Sequence, residues 1–164
     1  MIRLNIDKPE TKPVSKRFHL GGIPTVVVMD PEGNEVDRII GYDDDRPAWL
    51  KTLLASMYGI GTIGDLEARF QKTPDLKVAR EVAQKYLDRG DGANSLAWVQ
   101  RARDLMPGEA TAAQLTLIQG QAQLYTDPAA GAETLLKLAT APQSPLAFDA
   151  FQALSAFYKR QARN

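Results

Sequence analysis

The chain has 164 residues, 44% hydrophobic and 24% charged, enough apolar material for one compact domain or two small ones. Its 20 basic residues balance 20 acidic ones, so charge gives no reason to expect nucleic acid or an anionic membrane as partner, and it removes one barrier to self-association. The absence of cysteine excludes disulfides, thiolate metal sites and thiol catalysis within the chain.

In chain order, Ile2, Leu4 and Ile6 alternate with polar residues and predict a short strand over residues 2–7. No long apolar run follows Met1, so no signal peptide is expected, and no stretch reaches the roughly 20 apolar residues that a membrane-crossing helix needs. The chain as given is therefore expected to be soluble. Its compartment is left open, leaning to the cytoplasm, or to export if an upstream signal segment were lost. After the prolines at 9 and 13, Val14 to Phe18 has room for about one helical turn. Thr25-Val26-Val27-Val28-Met29 is dense enough in β-branched residues for a strand buried on both faces. Asp30-Pro31-Glu32-Gly33-Asn34 supplies turn chemistry, and Val36 to Ile40 returns as the second strand of a hairpin ended by Gly41.

The carboxylates at 43–45 and Pro47 announce a helix running to about Met57. Its apolar set, Trp49, Leu50, Leu53, Leu54 and Met57, is spaced by threes and fours and should lie on the sheet. Tyr58-Gly59-Ile60-Gly61 reads as a break between two segments, 1–58 and 62–164. Six helices follow in the second, and short loops predict antiparallel hairpins. Pro74, Pro107 and Pro142 recur at separations of 33 and 35 residues, and a small-x-x-Tyr pattern recurs as Ala83/Tyr86, Ala122/Tyr125 and Ser155/Tyr158. A two-helix unit of roughly 34 residues resembles degenerate tetratricopeptide repeats, in which the small residue allows close approach and the aromatic fills the adjoining gap.

Other signals point to structure. Asp30-x-x-Gly33 lacks calcium-loop ligand spacing and fits a hairpin turn, and the carboxylates at 43–45 fit a helix N-terminus, so no metal is expected. His19, the sole histidine, has no triad to join, and Gly21-Gly22 is too short to cradle phosphate. Arg101, Arg103, Lys159, Arg160 and Arg163 are scattered over helices, and Trp98 falls near an apolar stripe.

Phe18-His19-Leu20-Gly21-Gly22-Ile23-Pro24-Thr25, the following hydrophobic strand, the Asp30-x-x-Gly33 hairpin and Arg38-Ile39-Ile40-Gly41 together resemble the second half of thioredoxin-family domains, with the strand at 2–7 matching the one before the family's short helix. The resemblance covers roughly residues 2–57. It implies a partial thioredoxin-like β-α-β-β-α unit, which with the all-α antiparallel helical-repeat segment read above makes the expected fold class α+β. It also implies a cis Ile23–Pro24 bond, which an X–Pro pair tolerates at about 0.5–1 kcal/mol. In the family, the residue before that proline offers backbone hydrogen bonds to an extended peptide, so Ile23, Pro24 and Thr25 are the expected peptide-binding residues; at Pro24 the competing reading is a strand start where no amide donor is needed.

The family's Cys-x-x-Cys helix and the strand preceding it have no counterpart in the chain. The expectation is a protein with no catalytic residues and no cofactor, either a truncated oxidoreductase or a natural half-domain. It would have protein or peptide partners and form a homo-oligomer through the half-sheet. The alternative is an interaction scaffold whose half-sheet serves assembly and whose helical groove binds peptide.

Overall fold

The computed structural model describes residues 4–5, 7–20, 22–42, 44–105 and 112–162. The chain is of α+β class, mostly helical with one small antiparallel sheet, and it divides into two compact units, Met1–Thr62 and Ile63–Asn164. Among the described residues, no helix is long and apolar enough to cross a membrane.

In the first unit a 3-10 turn, Pro9–Thr11, leads into α1, Lys12–Arg17. Strands β1, Thr25–Met29, and β2, Glu35–Ile40, pair antiparallel with Thr25 opposite Ile40 and Val27 opposite Arg38; a bulge interrupts the register between Val28 and Met29. Helix α2, Arg46–Met57, starts where the Asp45 carboxylate accepts the Ala48 N–H at 3.1 Å. Directly opposed residues share a face, so Asp37 lies on one face with Val28, and Arg38 on the other with Val27. The Ser56 hydroxyl of α2 donates to Asp37, and the Arg38 guanidinium donates to the Phe18 carbonyl beyond α1; the hairpin therefore has α2 on one face and the end of α1 on the other.

Three expectations for this unit are corrected. Leu4 and Asn5 form no strand; Ile2, Arg3 and Ile6 lie outside the described residues. The Asn5 side chain instead accepts the Asp7 N–H at 3.0 Å and its carbonyl accepts the Lys8 N–H at 3.2 Å, a local turn that competes with strand pairing. The β-α-β-β-α unit is thus α-β-β-α among the described residues. Strand β1 is only half-buried, because the described sheet has two strands. The apolar set of α2 also divides: Trp49 and Leu53 are half-buried beside buried Ser56, whereas Leu50, Leu54 and Met57 are exposed. A two-stranded sheet is too narrow to cover so wide a stripe.

In the second unit six helices follow: α3 Ile63–Lys72, α4 Leu76–Asp88, α5 Gly92–Asp104, α6 Ala112–Thr126, α7 Pro128–Thr140 and α8 Ala147–Gln161. Asp75, Asp91 and Asp127 cap α4, α5 and α7, each accepting the backbone N–H three residues on. Each helix packs on the next, and α4 and α8 also touch α6. Close contacts fix the antiparallel sense. Ser95, early in α5, donates its hydroxyl to the Ala83 carbonyl late in α4 at 2.9 Å, and Gly92 lies against Ala122 and Tyr125 near the end of α6.

A core of Leu66, Val82, Ala83, Trp98, Val99, Leu115 and their neighbours joins α3 to α6, and a second one, centred on Leu135, Leu138, Ala150 and Leu154, joins α7 and α8. Of the small-x-x-Tyr pairs, Ala83 and Ala122 are fully buried, yet Tyr125 and Tyr158 stay exposed, so the aromatic does not fill a gap there. On α8 the core-facing residues are Ala150 and Leu154, which leaves Phe148, Phe151 and Tyr158 toward solvent. Pro107 lies outside the described residues.

Every buried apolar side chain among the described residues belongs to the second unit; the buried side chains of the first are Thr11, Asp37, Arg38, Ser56 and Thr62.

Candidate functional site

The segment from Phe18 to Thr25 is held by polar contacts. Arg38, buried, forms a bidentate pair with Glu35, with both bonds at 2.6 Å, and donates a further bond to the Phe18 carbonyl at 2.9 Å. A planar guanidinium with its fork occupied by one carboxylate is well fixed, so it pins the start of the segment to β2. At the other end the Thr25 hydroxyl donates to the Gly22 carbonyl at 2.6 Å, and the Gly41 N–H donates to the Pro24 carbonyl at 2.8 Å. A Cβ on Gly22 would stand 3.0 Å from the Ile40 side chain, so the glycine lets the turn lie close over β2.

The Ile23–Pro24 peptide bond is cis, as the family pattern implies. The three expected peptide-binding residues are adjacent but differ in what they have free. Pro24 lacks an amide hydrogen and its carbonyl is engaged by Gly41. The Thr25 hydroxyl is engaged by Gly22. Ile23 exposes 70% of its surface, and among the described residues neither its N–H nor its carbonyl has a hydrogen-bond partner. The chemistry on offer at Ile23 is one backbone donor, one backbone acceptor and an apolar side chain. His19, at φ 46°, is exposed nearby in the left-handed region at the end of α1.

The Asp30 carboxylate accepts the Asn34 backbone N–H at 2.7 Å and the Asn34 side-chain amide at 2.9 Å. The Asn34 side-chain bond, then its backbone bond, holds that carboxyl below its usual range, so both of its oxygens serve the turn. Among the described residues no cluster of acidic or histidine side chains could hold a metal ion.

A second feature was not legible in the sequence. Ile40, Gly41, Tyr42, Asp44, Trp49 and Thr52 line a shallow crevice between the end of β2 and the start of α2, with the Tyr42 and Trp49 rings 6.0 Å apart. The Trp49 Nε1 is buried there without an acceptor among the described residues. Spacing along α2 predicts that Trp49 meets the sheet but not what its N–H will find.

Trp98 is buried as its stripe predicts, edge-on to Phe70 at 5.0 Å, with Arg101 4.3 Å over its face. Arg103 donates to Thr116 and Gln119, so both arginines serve packing within the second unit. Comparison with protein-family models, curated proteins and solved structures finds no match.

Proposed function

We propose that this chain is a non-catalytic relative of thiol-disulfide oxidoreductases that holds an extended peptide at Ile23 and makes further protein contacts through a tetratricopeptide-like helical segment. The observation that carries the reading is the turn itself. Polar contacts from Arg38, Thr25 and Gly41 fix the segment around Ile23, while the backbone groups of Ile23 have no partner among the described residues and its side chain faces water. A rigid frame around a free donor–acceptor pair suits backbone-directed peptide binding, in which main-chain bonds give affinity and an apolar contact selects the side chain. With no cysteine the chain supplies no thiolate nucleophile of its own. Self-association through the half-sheet belongs to the same proposal.

The test is an insulin-reduction assay beside a titration with an extended apolar peptide. We expect no turnover, and peptide binding weakened by Ile23→Pro, which removes the donor. Turnover, or binding indifferent to Ile23, overturns the reading.

A second reading, an interaction scaffold, is favoured by the row Phe148, Phe151 and Tyr158 exposed on α8. Binding lost on Phe151→Glu but kept on Ile23→Pro selects it.

A further inference from the structure

Among the described residues strand β1 has one unpaired edge, and the ladder shows which residues form it. The Gly41 N–H bonds to the Pro24 carbonyl, so 24 and 41 are a hydrogen-bonded pair. Antiparallel pairs alternate, and 26 with 39 and 28 with 37 are therefore bonded pairs too. The N–H and carbonyl groups of Thr25, Val27 and Met29 point the other way, to an edge on which no strand lies among the described residues.

Exposed strand edges are ordinarily blunted by charge, proline or a bulge. Strand β2 has such devices: Glu35, Asp37, Arg38 and an extra residue, Val36, at the register shift. The free edge of β1 has none, since Thr-Val-Val-Val-Met carries no charge and no proline, is only half-buried, and ends in a Met29 that is 48% exposed. The edge is also self-complementary. Its three outward residues are centred on Val27, so an antiparallel copy pairs Val27 with Val27 and Thr25 with Met29, and no charges oppose one another.

We infer that the occupant of this edge is a second copy of this chain, paired β1 to β1 about a two-fold axis through Val27, giving a continuous four-stranded sheet. The axis stands perpendicular to the sheet, which brings both copies of α2, with their exposed Leu50, Leu54 and Met57, to the same face. The inference deepens the self-association proposed above and rests on it.

The experiment uses the full chain in analytical ultracentrifugation across the micromolar range, with two variants. Wild type should sediment as a dimer. Val27→Lys puts like charges on the axis and should leave a monomer with unchanged far-ultraviolet circular dichroism. Val27→Cys should be joined to its symmetry mate by a short thiol-to-thiol cross-linker, because residues facing one another in a bonded pair have Cα atoms about 5.5 Å apart while their Cβ atoms stand wider than a direct disulfide takes. Glu32→Cys, exposed in the hairpin turn and far from the axis, should not. A dimer that resists Val27→Lys and gives no Val27→Cys cross-link overturns the edge assignment alone. A protein monomeric at high micromolar concentration overturns both it and the self-association, including the case where that monomer takes up an alternating apolar peptide on the same edge.

Discussion

The Ser56 hydroxyl donates to the Asp37 carboxylate at 2.6 Å, both side chains buried, and so ties α2 to β2 across 19 residues of chain. In a unit whose buried side chains are polar, such bonds do the locating that apolar packing does in the helices. Ser56→Ala leaves a buried carboxylate short of one donor and should cost about 1–3 kcal/mol. Urea unfolding followed by Trp49 fluorescence in a Trp98→Phe background measures it. An unchanged midpoint would show that the bond does not hold α2.

Glycine substitutions should change sign with position. A Cβ on Gly131 of α7 would lie 2.6 Å from the Leu124 amide nitrogen and 2.9 Å from the Gly120 carbonyl oxygen, both backbone atoms of α6. Alanine gains up to about 1 kcal/mol of helix propensity, but overpacking of this kind costs about 1–3 kcal/mol, and the backbone cannot move aside cheaply. Gly131→Ala should lower the melting temperature. Gly64→Ala, in α3, meets nothing within 4 Å and should leave it level or raise it slightly.

Tyr86 donates its phenol to Glu67 at 2.8 Å, linking α4 to α3. Burial first, and then the Glu67 hydrogen bond and charge, push its pKa up from 10.0 to about 12. The folded state thus holds this proton more tightly than the unfolded one. Its contribution is complete below about pH 10 and is lost as pH rises toward about 12. Tyr86→Phe should flatten the stability profile in that window, as followed by chemical denaturation at fixed pH values. A decline of the same slope in the variant would assign the effect elsewhere.

Tyr58 and Ile60 are 81% and 62% exposed, each followed by a glycine that takes positive φ, at 59 and 61. Brief chymotrypsin treatment should cut first after Tyr58. The fragment beginning there holds every buried apolar side chain described and should keep its helical circular dichroism and cooperative melt. The fragment ending at Tyr58 should lose both. A resistant Tyr58, or a helical fragment that melts without cooperativity, would contradict this division.

Sequence alone determined the local elements, because their causes are local. Asp45 and Pro47 start α2, Asp30 and Gly33 turn the hairpin, and the spacing of Ala79, Val82, Ala83 and Leu87 fixes the buried face of α4. Tertiary structure decided what each face meets. The runs at Leu50, Leu54 and Met57 and at Phe148 and Phe151 have the spacing of core residues, yet stand in water because the elements beside them are too few or turned elsewhere. The reach of Arg38 to Phe18, the bond from Ser56 to Asp37 and the Trp49 N–H left without an acceptor among the described residues depend on distances between segments, and a pattern read along one chain carries no information about those.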